Sequence, residues 1–276
     1  MSYRWWSSSR TDRGPHRPTN EDAVLELPDS GIWVVADGMG GHTRGDLASR
    51  RVIAAFEGIG RCRRLGELMA KSRLRLHQAN ERIYRESRRM GPGTVMGCTT
   101  VVLAACRGEY ACLWVGDSRA YRLRDGRLEQ LTRDHSLAQE LVDRGEVTAA
   151  EAPRHPAARR ITRAVGAQPS VRIDECRGEI RDGDVFLLCS DGLLLEVDGD
   201  EIAAILSDAS YDRAAQALLD LSLQREVRDN VSVAVVRFEE TTALDLEDDD
   251  SSTALNPTLQ MNTTTGYRTQ ATLTGL

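Results

Sequence analysis

The chain has 276 residues, of which 41% are apolar and 28% are charged, so it can build a substantial core in one large domain or two small ones. Its net charge of −6 argues against binding to nucleic acid or to an anionic membrane surface through bulk positive charge. The longest unbroken apolar run, residues 101–106, is far too short for a membrane helix, and the first ten residues lack the apolar core of a signal peptide. We expect a cytoplasmic protein with no nucleic-acid or membrane partner.

Short runs rich in Val, Leu and Ile predict the strands of the protein. In chain order they lie at 32–36, 98–106, 110–115, 120–123, 185–189 and 231–238. Arg107-Gly108-Glu109 joins two of these runs, and Asp125-Gly126 joins AYRLR to RLEQL, which is a strong hairpin signal. Antiparallel pairing of neighbouring strands is therefore expected.

Apolar stripes at helical spacing predict helices at about 46–59 and 65–90, the second ended by Gly91-Pro92-Gly93. Two further pairs, Ser136 with Gln139 and Thr148 with Glu151, have capping-box spacing and predict two short helices. Asp198 and Asp212 are the expected N-caps of two last helices. These positions suggest helix layers packed outside a β-sandwich, and so an α+β fold.

The end of the chain differs in composition from the rest. Residues 241–276 hold 12 Ser or Thr, five acids and one arginine, so they carry −4 of the net charge and have no apolar periodicity. We predict a folded domain over 1–240 and a disordered, acidic, Ser/Thr-rich tail over 241–276.

The cysteines and lysines limit the chemistry that the chain can perform. Its six cysteines form no CxxC pair, and four of them lie in apolar stretches, which predicts reduced structural thiols. Only Lys71 is a lysine, so a phosphate clamp would have to be made of arginine.

Several acidic residues stand directly after apolar strands. Asp37, Asp117 and Asp191 each follow such a run, and the motifs Asn20-Glu21-Asp22 and Asp229-Asn230 add further carboxylates. Carboxylates gathered at about 4 Å would repel by about 4 kcal/mol per pair at an effective dielectric near 20, and divalent cations relieve that repulsion. An oxygen-only ligand set suits Mg²⁺ or Mn²⁺ better than Zn²⁺.

Eight ordered motifs resemble those of the PP2C family of metal-dependent protein serine/threonine phosphatases, in its short bacterial form. They are RPTNED from residue 17, VADGMGG from 35, MGCTT from 96, GDSR from 116, LTRDHS from 131, ITRAVG from 161, LCSDGL from 188 and DNVS from 229. The resemblance covers about residues 8–238. It implies an α-β-β-α sandwich in which two antiparallel β-sheets are flanked by helices, with a two-metal site at one end.

The resemblance also implies a role for each acidic residue. Asp37 would bridge two ions of Mn²⁺ or Mg²⁺, with a third, weaker ion expected between Asp117 and Asp191. The remaining metal assignments are Asp191 and Asp229 for the first ion, Glu21 and the carbonyl of Gly38 for the second, and Asp22 through bound waters. A hydroxide bridging the metals would then attack the phosphorus of a phosphoserine or phosphothreonine.

Arg17 and His42 are the candidates outside the metal set. The Arg17 guanidinium fork would bind two phosphoryl oxygens at once, which a lysine cannot do. Eukaryotic relatives have a histidine after the Asp-Gly pair, where this chain has Met39. His42 is therefore a candidate general acid, although a water on a metal is the expected proton donor.

The excursion over about 134–173 matches the flap beside the family's catalytic cleft. Its arginines at 144, 154, 159 and 160 either contact acidic or phosphorylated substrate loops or are solvated. Two alternatives to the phosphatase remain open, an inactive phosphatase fold used as a binding module and a hydrolase of small phosphate esters. The expected partners are phosphoprotein substrates and a cognate Ser/Thr kinase, and a monomer is expected.

Overall fold

The computed structural model describes residues 3–39, 44–91, 93–152, 155–158 and 160–241. Its strands are β1 (Tyr3–Asp12), β2 (Asp22–Leu27), β3 (Ile32–Met39), β4 (Gly97–Cys106), β5 (Glu109–Val115), β6 (Arg119–Arg124), β7 (Arg127–Gln130), β8 (Asp174–Glu179), β9 (Val185–Cys189) and β10 (Val231–Glu240). The helices are α1 (Gly45–Phe56), α2 (Leu65–Arg89), α3 (Leu137–Asp143), α4 (Asp191–Glu196), α5 (Gly199–Asp208) and α6 (Tyr211–Gln224).

The strands form two five-stranded sheets, ordered β1-β10-β9-β6-β7 and β2-β3-β4-β5-β8. Every pairing between the named strands is antiparallel. Helices α1 and α2 cover the outer face of the β3 sheet, and α4, α5 and α6 cover that of the β9 sheet. The predicted α-β-β-α sandwich is confirmed.

Strand β3 shows how the sequence builds these layers. Because side chains alternate across a strand, Ile32, Val34 and Ala36 pack against the helices, whereas Trp33 and Val35 face the other sheet. Both faces of β3 are buried, so its sequence is a continuous apolar run and does not alternate between apolar and polar residues.

The six predicted strands and both predicted hairpins are confirmed. Arg107 and Gly108 have φ of 51° and 80°, and Asp125 and Gly126 have φ of 51° and 75°, the left-handed values that a tight two-residue hairpin turn needs. The strands that the sequence pattern missed are β1, β2 and β8. All three lie at sheet edges, where the residues of each strand are half-buried or exposed in good part and the apolar signal is diluted.

Two helix predictions need correction, although Ser136 does cap α3 and Asp198 does cap α5 with a full capping box. Thr148 and Glu151 form the capping-box hydrogen bonds, but no α-helix follows among the described residues, where 149–151 form turns and residue 152 has 3-10 geometry. Pro153 lacks the backbone N–H that a continuing α-helix would need. Asp212 is not an N-cap. Helix α6 begins after Ser210, and the Asp212 carboxylate instead accepts hydrogen bonds from the side chains of Ser8 and Arg10.

Candidate metal centre

The acidic site lies where strands of both sheets end, and its centre is a pair of facing carboxylates. The register of β2 and β3 places Asp22 directly opposite Asp37. Asp37 continues the row of Trp33 and Val35, so its side chain is on the face between the two sheets. Two like charges directly opposite one another destabilise a sheet, so this pair needs positive charge or protons nearby.

Asp22 is buried and held by the other sheet. The Ser190 hydroxyl donates to its Oδ2 at 2.8 Å, and the same hydroxyl accepts from the Ser232 backbone N–H at 2.9 Å. Burial, with smaller contributions from the charges of Asp191 and Asp229, raises the pKa of Asp22 to about 7. Ser190 thus fixes the orientation of a carboxylate that would be partly protonated at neutral pH.

Asp37 shares its electrostatic environment with the other predicted ligands. Its pKa is raised well above the ordinary value, first by burial and then by the charges of Asp22, Asp191, Asp117 and Asp229. The fold therefore brings together, around one carboxylate, acids that are separated by up to about 200 residues of sequence.

Glu21 and Gly38 form one wall of the site. The Gly38 N–H donates to the Glu21 carbonyl at 3.1 Å, and the Gly45 N–H donates to Glu21 Oε1 at 3.1 Å. A side chain at Gly38 would lie 2.0 Å from the carbonyl oxygen of Gly45, so only glycine fits between the strand and the start of α1. Burial also raises the pKa of Glu21.

Asp117 and Asp191 complete the acidic group. Asp117 follows Gly116, which has a φ of 107° and whose Cβ position would be 2.4 Å from Thr99, so glycine is required there. Burial, followed by the charge of Asp191, raises the pKa of Asp117 to about 7. Asp191 is the first residue of α4, where the positive end of the helix dipole favours its charge.

Arg17 lies at this site and contacts Asp229. Its Nη2 donates to Asp229 Oδ2 at 2.5 Å, and its Nε donates to the Arg228 carbonyl at 3.2 Å. The Arg17 side chain keeps 45% of its exposure and that of Asp229 keeps 25%. The guanidinium is thus at the cleft, as the sequence predicted, but its nearest partner is a carboxylate assigned to a metal.

Asn230 and Ser190 are two site residues to which the sequence analysis gave no role. Asn230 accepts from the Glu21 N–H at 2.8 Å, and its amide donates to the carbonyls of Arg13 and Thr19 at 2.8 and 3.1 Å. It therefore ties the segment before β2 to the start of β10. Both residues are adjacent to predicted ligands, which is the only signal for them in the sequence.

The donor set fits a hard divalent cation. Every candidate ligand is an oxygen. The pKa values of Asp22, Asp37 and Asp117 are raised first by burial and then by neighbouring carboxylates, whose negative charge such a cation would offset. Among the described residues, no group of three or more acidic, histidine or cysteine side chains already has the arrangement needed to hold a metal ion.

Other predicted features lie around or outside this centre. The flap is joined to β6 by Arg119, which binds both Asp134 oxygens at 2.8 and 2.7 Å. Arg144 pairs with Glu146 at 3.0 Å and Arg160 is exposed, which fits solvated positions as well as substrate contacts. His42, Arg154, Arg159 and the tail from residue 242 lie outside the described residues. No described helix is long and apolar enough to cross a membrane.

A four-layered sandwich with an oxygen-only acidic cleft at one end is the architecture of the metal-dependent phosphatases. The chain matches the protein phosphatase 2C family over residues 17–231, and it belongs to that family. PstP of Mycobacterium tuberculosis is 36% identical over 231 residues, which cover 83% of this chain and 44% of PstP. The chain thus spans less than half the length of that relative.

Solved structures agree with this assignment. The structure of PppA, described as a key regulatory component of T6SS in Pseudomonas aeruginosa, has 40% identity and a TM-score of 0.79, covering 85% of this chain and 97% of PppA. The catalytic domain of PstP in complex with two manganese ions has 34% identity and a TM-score of 0.75, covering 87% of this chain and 100% of that domain. Family and fold, as predicted from the sequence motifs, are confirmed.

Proposed function

We propose that this chain is a metal-dependent phosphatase that hydrolyses phosphoserine and phosphothreonine in proteins. The observation that carries the proposal is the convergence on Asp37 of carboxylates from four other segments of the chain, on both sheets. The two manganese ions of the PstP catalytic domain support a requirement for two ions of Mn²⁺ or Mg²⁺.

The proposed ligand roles are those that the resemblance to the family implies. Asp37, at the centre, would bridge both ions, Asp191 and Asp229 would hold the first, and Glu21 with the Gly38 carbonyl would hold the second. Asp22 would act through waters, and Asp117 with Asp191 would take a third ion. Such ions, when bound, lower the pKa of water and neutralise charge on phosphoryl oxygens.

Arg17 is proposed to bind the phosphoryl group of the substrate. Its contacts to Asp229 and to the Arg228 carbonyl use Nη2 and Nε, which leaves the Nη1 donors for an anion. A planar fork suits two phosphoryl oxygens, and its position beside Asp229 would bring the phosphorus next to the metal ligands. His42 stays a candidate general acid, to be tested by replacement with alanine.

The domain boundaries, substrates, compartment and oligomeric state are also part of the proposal. Residues 1–240 would be the phosphatase domain, with a flap at about 134–173, and 241–276 a disordered acidic tail. The substrates would be phosphoproteins made by a cognate Ser/Thr kinase. The enzyme would work in the cytoplasm as a monomer. The six free cysteines support a reducing compartment.

Two other functions compete with this one. An inactive binding module would be expected to lack a metal carboxylate, but all six predicted acidic ligands are present in the chain. A hydrolase of small phosphate esters shares the same chemistry. It would differ by preferring a small ester to a phosphoprotein.

The test measures phosphate release from a phosphothreonine protein, from its short phosphopeptide and from p-nitrophenyl phosphate, with Mn²⁺ and with excess chelator. We expect turnover of the phosphoprotein and the peptide only with metal, and none by Asp37→Asn. Full activity after exhaustive chelation would contradict the metal proposal. A kcat/KM that is highest for the small ester would favour the second alternative, and binding without turnover would favour the first.

A further inference from the structure

Two cysteines on neighbouring strands face each other directly. Cys112 on β5 is opposite Cys176 on β8 in the register of the β3 sheet. Residues directly opposite in an antiparallel pair have Cα atoms about 4.5–5.5 Å apart, and disulfides have Cα separations of about 4.4–6.8 Å. The backbone is thus already at the spacing that a disulfide between these two positions requires.

The two side chains also share a face and are in contact. Both pack in the core between the sheets, because opposite residues of a register pair project to the same side. Each thiol is close enough to the other to shift its pKa. No large movement of the backbone is needed to bring the sulfurs together.

The environments of the two thiols are unequal. Cys112 is fully buried on an inner strand, whereas Cys176 is partly exposed on β8, which forms the edge of the sheet. The neighbouring Cys112 thiol lowers the pKa of Cys176, and the pKa of Cys112 is raised well above its usual value. Since the thiolate is the nucleophile in thiol chemistry, Cys176 is the residue that an oxidant in solvent would reach and react with first.

We propose that Cys112 and Cys176 form a redox-active dithiol that a hydroperoxide converts to a cross-strand disulfide. In the first step the Cys176 sulfur attacks one peroxide oxygen, the O–O bond breaks, hydroxide leaves, and Cys176 becomes a sulfenic acid. In the second step the Cys112 sulfur attacks the Cys176 sulfur, the S–O bond breaks, and the thiol proton leaves with the hydroxyl group as water. Two thiols lose two electrons in total, and the peroxide is reduced.

The remaining cysteines lack this arrangement. Cys62 is partly exposed like Cys176, but the Cys106 thiol is directed at the Cys62 carbonyl oxygen, 3.4 Å away. Cys98 and Cys189 are fully buried in strands β4 and β9. Cys62 therefore offers a matched control, an accessible thiol without a cysteine opposite it.

The test treats the folded full-length chain with hydrogen peroxide, blocks free thiols, and digests without reductant for mass spectrometry. We expect one linked pair of peptides, containing Cys112 and Cys176, which dithiothreitol separates. The Cys62→Ser variant should form the same link. The link should be absent from Cys176→Ser, and Cys112→Ser should accumulate a sulfenic acid at Cys176 that dimedone traps.

The readout is covalent, so it does not depend on the phosphatase activity proposed above. Oxidation of Cys176 to sulfinic acid without a link to Cys112 in the unmutated chain would overturn the proposal, as would a link formed by Cys62. Far-ultraviolet circular dichroism of each variant confirms that the sulfur chemistry is measured in folded protein.

Discussion

A single strand, β3, runs through two regions of opposite character. Its first half lies in the core between the sheets, where Trp33 packs edge-on against Phe238 at 6.1 Å and Phe238 packs against Phe186 at 5.5 Å. Its other end carries Asp37, on the same face of the strand and opposite Asp22. Within about four residues the row of side chains between the sheets changes from aromatic to ionisable.

The two regions differ in what they need from outside the chain. The apolar core is stabilised by the burial of Trp33, Phe186 and Phe238, although the buried Trp33 Nε1 has no hydrogen-bond partner among the described residues. The acidic cleft gathers carboxylates whose pKa values are raised by burial and, to a smaller extent, by their mutual repulsion. The comparison shows that the apolar core stabilises the fold, whereas the acidic cleft provides carboxylates that can bind a cation.

The largest expected effect comes from removing the central carboxylate. Asp37→Asn should lower kcat on a phosphopeptide by on the order of 10³-fold, because metal ions supply several kcal/mol of charge stabilisation in the transition state. In chelator the melting temperature should not fall, because burial and the neighbouring carboxylates already disfavour a charge at this position. Asp29→Asn, an exposed carboxylate near the other end of β3, is the control and should change neither quantity. If Asp37→Asn lowered the melting temperature as much as the truncation of a buried core residue does, Asp37 would be part of the stabilising core.

The second prediction concerns a substitution in the apolar core, where stability and not activity should change. Trp33→Ala should lower the free energy of unfolding by about 3–5 kcal/mol, because it removes a large, fully buried side chain and leaves a cavity. Chemical denaturation measures this change. Trp6→Ala, which truncates a tryptophan that is 37% exposed, should cost much less. Equal losses in the two variants would contradict the assignment of Trp33 to the core.

A third effect should appear in the pH dependence of stability without metal. The pKa of Asp22 is about 7 in the folded protein and 3.8 ordinarily, so between those values the folded state holds a proton that the unfolded chain has released. Stability should therefore fall as pH rises from about 4 to about 7.

Melting temperatures measured in chelator across this range check the prediction. Asp22→Asn should reduce the slope, while Asp37 and Asp117, whose pKa values are also raised, retain part of it. Adding Mn²⁺ at the upper end should restore stability, because the ion binds the folded state. A metal-free protein that gains stability over the same range would show that Asp22 is not the carboxyl that titrates.

The same contrast explains what the sequence could predict. Inner strands such as β3 and β4 are dry on both faces and were found from their apolar runs, whereas the edge strands β1, β2 and β8 were missed. The candidate ligands were found because each follows a strand or carries a family motif. That information is local in sequence.

Positioning contacts were harder to find, because they join distant segments. Ser190 holds Asp22 across 168 residues, and Asn230 holds Glu21 across 209. The sequence also could not show that Asp212 would be used by Ser8 and Arg10 instead of capping α6. Such partners depend on how the two sheets stack, which no local pattern encodes.

The smallest effect we predict is at the boundary of the acidic cleft. Arg17→Lys keeps the positive charge beside Asp229 but replaces a planar fork with a single ammonium group, so phosphate should be held by fewer hydrogen bonds. We expect kcat/KM on a phosphopeptide to fall about tenfold, which corresponds to about 1.4 kcal/mol. Arg213→Lys, at an exposed position on α6, is the matched control and should leave kcat/KM unchanged.

Unchanged kinetics in Arg17→Lys would limit Arg17 to pairing with Asp229. A loss of activity that higher Mn²⁺ concentrations repair would assign it to metal binding and not to phosphate recognition.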